Sequence, residues 1–258
     1  MRSSLPPEFA EALTRAAGRI GIFGGEPLWC AEVPSTNDIA LGLAERGARE
    51  GQFVIANAQS AGRGRHGRAW ASPAGAGLYL SAVLRPLPHA VPLLTIAAGL
   101  AVAEGIQAAT GLTPRLKWPN DIYLGDRKLA GMLAEAGADF VVLGVGINVL
   151  PAAYPPEIAA RATSLEGELG RAVDRGLLLA ECLTALATRY AELQRGGADA
   201  IVDAWRERAA ATLGRTVRWD AAGLAREGVA ETIDATGALI VRTSTGPVRL
   251  ISGEVQWI

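Results

Sequence analysis

Residues Gln59 to Trp70 read Gln-Ser-Ala-Gly-Arg-Gly-Arg-His-Gly-Arg-Ala-Trp, the segment of this chain most able to do chemistry. Arg63, Arg65 and Arg68 alternate with small residues, and Trp70 closes the run. No aspartate or glutamate lies between Glu50 and Glu104, while the whole chain carries a net charge of only −1. The positive field is therefore local. Glycine lets backbone approach a ligand closely, and forked guanidinium donors match carboxylate or phosphate oxygens. The segment reads as a loop that holds an anion; a solvated surface loop is the plain alternative. Gly62 to Gly67 matches G-x-G-x-x-G literally, but that dinucleotide fingerprint needs a helix opening within the glycines and an acid about 20 residues later. Here Trp70-Ala-Ser-Pro73 follows and the acid is missing.

Two further groups of residues bear on the same chemistry. Lys117-Trp-Pro-Asn-Asp121 is followed by Lys128 after a short polar turn at Gly125-Asp126, so Asp121 and Lys128 are expected as near neighbours on adjacent strands of a hairpin. That is either a surface ion pair or a lysine offered to an anionic substrate beside a polarising carboxylate. Ser35-Thr36-Asn37, with Asp38 three positions beyond Ser35, is a weak capping box, or a polar helix N-terminus suited to an uncharged head group. His66 and His89 lack Cys or carboxylate partners at ligand spacing, so no protein-held metal is expected.

The elements that position these residues follow from periodicity. Strands are expected at 28–33, 53–56, 77–84, 115–124, 127–135 and 140–148, and a short helix at 39–44. Residues 91–107 are apolar around most of their circumference and read as a buried helix. Leu179, Cys182, Leu183, Leu186, Tyr190 and Leu193 keep a helical stripe, and another helix runs from 201 to 209. After Leu213, short strands at 216–219, 228–233, 238–242 and 248–251 alternate with turn residues, as in a small β-barrel. The expected division is a lead-in at 1–24, a catalytic unit at 25–212 and the barrel at 213–258.

Half of the 258 residues are hydrophobic and a fifth charged, which suits a globular chain with a sizeable core. Near-neutral charge argues against a general nucleic-acid coat or a polybasic membrane binder. The two cysteines have no metal-ligand spacing; they are reduced core residues or one disulfide. No signal-peptide core and no run of about 18 consecutive apolar residues is present, so a cytoplasmic protein is expected.

Taken in order, Ser35-Thr-Asn37, Gln59 to Trp70, Lys117-Trp-Pro-Asn-Asp121, Arg127-Lys-Leu-Ala-Gly131 and Gly144-Val-Gly-Ile-Asn148 resemble the biotin–protein ligases, also called biotin–[acetyl-CoA-carboxylase] ligases. The resemblance implies an α+β fold: a mixed sheet flanked by helices, like class II aminoacyl-tRNA synthetases, with an SH3-like C-terminal barrel. It implies adenylation of biotin by Mg2+-ATP to biotinyl-5′-AMP, then transfer to a lysine of a biotin carboxyl carrier protein. Carried over by motif, Ser35, Thr36, Asn37, Gln59, Gly62, Arg63, Gly64, Arg65, Lys128 and Gly131 surround biotin. Arg65, Arg68, Trp70, Asn120, Lys128 and Asn148 meet the nucleotide, with Trp70 toward adenine. Lys128, Arg65 and Asp121 are the catalytic candidates, Asp121 as acceptor of the incoming lysine's proton. Magnesium is expected on the ATP. The family's N-terminal winged helix is not expected here, nor DNA binding, and a homodimer is possible. His66 stands where an arginine often occurs. Lipoate–protein ligases share the fold and the adenylation logic, but their Arg-Ser-Gly-Gly-Gly signature is absent. A non-catalytic nucleic-acid-binding module is the alternative from another class.

Overall fold

A computed structural model describes residues 4–221 and 223–258; residues 1–3 of the lead-in and Ala222 of the turn expected at 220–223 lie outside it. Seven strands form one mixed sheet: β1 (Leu28–Val33), β2 (Phe53–Gln59), β3 (Gly77–Leu84), β4 (Arg115–Lys117), β5 (Asp121–Leu124), β6 (Arg127–Ala136) and β7 (Val141–Asn148). Their spatial order is β1-β2-β3-β7-β6-β5-β4. Only β1 and β2 pair in parallel, because α2 (Thr36–Glu45) carries the chain across between them. The remaining neighbours are antiparallel.

The sheet is covered on both faces, and its side-chain alternation assigns the work of each face. Phe53, Ile55, Leu78, Leu80, Leu143, Val145 and Ile147 point into the main core. That core is built with α1 (Pro7–Ala16), α3 (Leu94–Thr110), the short α4 (Leu165–Leu169), α5 (Arg175–Gln194) and α6 (Ala198–Ala209). The lead-in is thus part of the core: Phe9, Ala12, Leu13 and Ala16 are buried, and α1 packs on α5. The stretch Val91–Thr110 is long and apolar enough to cross a membrane, but it is mostly buried inside this core. Gly105 lets α3 meet α5 at close range, since a Cβ there would lie 2.5 Å from the Cys182 Cα. Cys30 and Cys182 are both free and buried; burial pushes the Cys182 thiol up to about 12.

On the opposite face, α2 packs over β2, β3 and β7, and Val54, Ala56, Val83 and Val142 face it. Gly131, Leu133 and Glu135 of β6, and Gly144 and Gly146 of β7, share that face beyond the helix. There the sheet is roofed by the arginine loop.

The run 115–124 is not one strand. It breaks at Trp118-Pro119, which is joined by a cis peptide, and refolds as the β4–β5 hairpin. This brings Asn120 and Asp121 up beside β6. Helix α2 begins at Thr36, earlier than 39, and Ser35 makes no side-chain cap. Gln59 Oε1 accepts from the Thr36 N–H at 2.8 Å instead, so the cap comes from the end of β2.

The C-terminal sheet runs β11-β10-β9-β8-β12, from β8 (Thr216–Ala221), β9 (Leu224–Ile233), β10 (Leu239–Thr243), β11 (Gly246–Leu250) and β12 (Gln256–Trp257). All its pairings are antiparallel, consistent with an SH3-like fold. It docks through the turn at 234–238: the Trp118 indole N–H donates to the Gly237 carbonyl at 2.8 Å, fully buried. Asp234 holds that turn. Its carboxylate accepts from the Thr236 N–H and hydroxyl, both at 2.8 Å, from the Ala238 N–H at 3.1 Å and from Arg249 at 2.5 Å. Burial alone would raise its pKa, but these donors pull it down to about 2. A depressed carboxylate stabilises the fold above its unfolded value of 3.8, and that contribution is lost as pH falls through about 2. Asp234→Asn is expected to lower the unfolding midpoint at neutral pH. Circular dichroism melts should show its gap to wild type closing between roughly pH 4 and pH 2.

Candidate active site

A cleft enclosing about 130 Å³ opens between α2, the arginine loop, the β4–β5 hairpin and the tail of the C-terminal sheet. Its wall includes Ser35, Thr36, Asn37, Gln59, Arg63, Gly64, Arg65, Arg68, Trp70, Asn120, Asp121, Lys128 and Gly131. Segments up to about 100 residues apart in sequence therefore meet in one place. Two candidates do not reach the wall. Gly62 lies behind it, where a Cβ would meet the Trp70 carbonyl at 2.4 Å. The Asn148 amide is turned onto the Thr163 carbonyl at 2.9 Å. Residues 161–163 in turn hold the backbone of Lys128 through Lys128 N to Arg161 O at 2.8 Å and Thr163 N to Lys128 O at 2.9 Å. Asn148 thus supports the strand that carries the lysine.

One end of the cleft is polar and uncharged. Gln59 bridges Thr36 and Ser72, accepting from the Thr36 hydroxyl at 3.0 Å and donating to Ser72 Oγ at 2.8 Å. Ser81 Oγ, on β3, lies 2.7 Å from Thr36 Oγ1 and 2.5 Å from Asn37 Oδ1. Ser81 was not foreseen from sequence, because it sits inside a buried apolar strand and only the register across to Gly144 puts it under the helix.

The floor is backbone. Gly131 pairs with Gly146, which pairs with Tyr79, while Asp121 pairs with Gly131 on the other side. The Trp70 indole lies on these glycines: a Cβ at Gly146 would come within 2.5 Å of its Nε1, and one at Gly131 within 3.3 Å of its ring.

The other end is cationic. Lys128 Nζ contacts Asp121 Oδ1 at 2.6 Å and stands 5.5 Å from the Trp70 ring centre. Asp121 Oδ1 accepts no aligned hydrogen bond, so the ionic contact is its compensation. Among the described residues, Trp70 Nε1 and Asp121 Oδ1 are the buried side-chain polar atoms without a hydrogen-bond partner, and both residues line this cleft. Of the two, Asp121 Oδ1 is compensated by Lys128, and Trp70 Nε1 lies against the Gly146 backbone without a hydrogen-bond acceptor. Lys117 also lines the cleft. Burial lowers its pKa, and its ammonium stands between the rings of Tyr123 and Trp257, 5.2 and 4.5 Å from their centres.

The loop itself is a narrow hairpin. Gly64 N donates to Arg68 O at 2.7 Å and Trp70 N to Gly62 O at 2.8 Å. Its tip turns through His66 and Gly67, both left-handed at φ 55° and 72°. The arginines are all engaged: Arg63 with Asp38 and Glu135, Arg65 with Asn120 and the Gly253 carbonyl, Arg68 with Glu254. Glu135 and Glu254 escaped the sequence reading, since each is an ordinary strand or turn glutamate until the fold closes.

The sequence matches the Biotin/lipoate A/B protein ligase family over residues 29–148 and the Biotin protein ligase C terminal domain over 212–257. It is 38% identical to a biotin–[acetyl-CoA-carboxylase] ligase of Mycobacterium tuberculosis, across 87% of this chain and 86% of that protein. The chain belongs to the biotin protein ligase family. A further relative, the bifunctional ligase/repressor BirA of Bacillus spizizenii, is 33% identical over 97% of this chain and 80% of its own length. The fold matches the biotin protein ligase of Aquifex aeolicus, solved in complex with biotin and ATP, with a TM-score of 0.80 and 30% identity over 90% of this chain and 97% of that one. The α+β architecture and the C-terminal sheet are those of this ligase family.

Proposed function

We propose that this protein is an ATP-dependent biotin–protein ligase: it joins biotin to the α-phosphate of ATP, then passes the acyl group to a lysine of a biotin carboxyl carrier protein. The observation that carries this reading is the single cleft in which an uncharged polar end and a cationic end meet across a glycine floor. Adenylation brings a carboxylate against a polyphosphate, so its catalysis is chiefly charge neutralisation and alignment.

Ser35, Thr36, Asn37 and Gln59 receive the ureido head of biotin. Lys128 lies between its carboxylate and the α-phosphate, where negative charge accumulates during attack. Arg63, Gly64 and Arg65 close over the acyl phosphate, Arg65 and Arg68 meet phosphate oxygens, and Trp70 and Asn120 border the nucleotide. Asp121 receives the proton of the incoming lysine. Asn148 acts through the segment that braces Lys128 and not by touching the nucleotide. No group of three or more His, Cys, Asp or Glu side chains fit to hold a metal occurs among the described residues. Magnesium would come with the ATP and would supply charge neutralisation of the leaving pyrophosphate. We place the catalytic unit at 25–212, with the lead-in at 1–24 and the SH3-like unit at 213–258, in a cytoplasmic enzyme without DNA or membrane partners.

The deciding experiment is mass spectrometry of a biotin carboxyl carrier domain incubated with the protein, biotin and Mg-ATP. A gain of one biotinyl group on one lysine is expected; an unmodified acceptor rejects the reading. Gly144→Ala provides a sharper check on the head-group end. Its new Cβ would fall 2.1 Å from Asn37 Oδ1, and Asn37 cannot swing away because Ser81 donates to that oxygen while Glu135 accepts from the amide nitrogen. If the overpacking of about 1–3 kcal/mol falls on the bound state, biotin affinity drops by roughly 5- to 150-fold, read by calorimetry.

A further inference from the structure

Glu135 is far from the arginine loop in sequence and carries no motif, yet helix α2 and the arginine loop both converge on it. It sits on the same face of β6 as Gly131 and Leu133, which line the cleft. Its Oε2 accepts from Asn37 Nδ2 at 2.7 Å, and its two oxygens accept from the two terminal nitrogens of Arg63 at 2.9 and 2.7 Å. Arg63 also contacts Asp38, in the first turn of α2, at 2.7 Å. The Asn37 amide is thereby fixed at both ends, by Ser81 on its oxygen and by Glu135 on its nitrogen.

We propose that Glu135 is a positioning residue that couples the uncharged end of the cleft to closure of the arginine loop, holding Asn37 and Arg63 with one carboxylate. The proposal rests on the biotin-ligase reading of the cleft. The paired contacts to Arg63 are a fork-on-fork match, stronger and more directional than a single contact. The remaining partner, Asp38, is half exposed, so alone it holds the loop weakly. When Asn37 is drawn into contact with a head group, Glu135 is fixed with it, and the closed position of Arg63 is favoured. By linkage, closing the loop orders Asn37 in return.

Glu135→Gln keeps the size of the side chain but cannot accept from both Arg63 nitrogens. In the ligand-free protein, trypsin should then cut after Arg65 and Arg68 about 5- to 10-fold faster than in wild type, because cleavage reads the open population. In the second arm, dissociation of radiolabelled biotin should speed up in Glu135→Gln and in Arg63→Ala, and the double variant should be no faster than the singles. Melting curves accompany both arms. If Glu135→Gln melts early, Arg63→Ala, on an exposed loop, carries both readouts alone. Unchanged tryptic cutting, or additive effects on biotin release, overturns the coupling. A wild-type protein that fails to bind biotin rejects the functional reading instead, and the tryptic arm still tests the latch.

Discussion

Replacing Lys128 with alanine will slow formation of biotinyl-5′-AMP by about 100-fold or more while biotin still binds, since a donor aimed at developing charge is worth about 2.7–4 kcal/mol. The structure gives two reasons for so large an effect. Lys128 is braced from both sides, its backbone by residues 161–163 and its ammonium by Asp121 at 2.6 Å. It is thus preorganised, and little reorganisation is needed when charge appears. Its loss also uncovers Asp121, a mostly buried carboxylate with no aligned hydrogen bond, beside the path of an anionic substrate. The two contributions separate in a double variant: Lys128→Ala with Asp121→Asn removes the stranded charge but not the missing one. Single-turnover measurement with radiolabelled ATP reads the step directly, and a normal rate in Lys128→Ala would refute the assignment.

The second large effect concerns Arg65. Its guanidinium joins the loop to the β4–β5 hairpin through Asn120 Oδ1 at 3.3 Å and to the C-terminal sheet through the Gly253 carbonyl at 3.0 Å. Burial lowers its pKa, opposed by Asp121 and Glu254, so it has been desolvated to reach this position. A hydrogen bond from a charged group contributes about 1.5–3 kcal/mol. Arg65→Ala is therefore expected to raise the release of biotinyl-5′-AMP by roughly 10- to 100-fold. Trapping released adenylate in single-turnover reactions measures this; an unchanged off-rate would count against a closing loop. Arg68 is a useful contrast. Its pairing with Glu254 is largely exposed, worth about 0–1 kcal/mol, so it is available to a phosphate at little cost.

The site was legible wherever its chemistry was contiguous or local. The arginine loop declares itself in twelve residues, Gln59 to Trp70, and the Asp121–Lys128 contact follows from a short turn between two strands. Helix α3 was legible from its all-round apolar surface, which only a buried helix tolerates. What stayed hidden was made by long-range register. Ser81 is one polar residue in an otherwise apolar strand, and Glu135 and Glu254 gain meaning only when strands and loop close on them. The capping pattern at Ser35 misled because Gln59, 23 residues on, supplies the acceptor that a local side chain would otherwise give. The run 115–124 looked like one strand because Leu116, Trp118 and Ile122 are all buried, but the Trp118-Pro119 turn folds it back on itself.

The floor formed by Gly131, Gly144 and Gly146 has a consequence for selectivity. A pocket bounded by side chains can yield, because rotamers swing aside for a thicker guest. Here main chain forms the lower surface, pinned in the middle of a seven-stranded sheet, and it has no such freedom. The three missing methyl groups leave room for Trp70 over Gly131 and Gly146 and for Asn37 over Gly144, so strand geometry sets the height at which those two side chains bound the cleft.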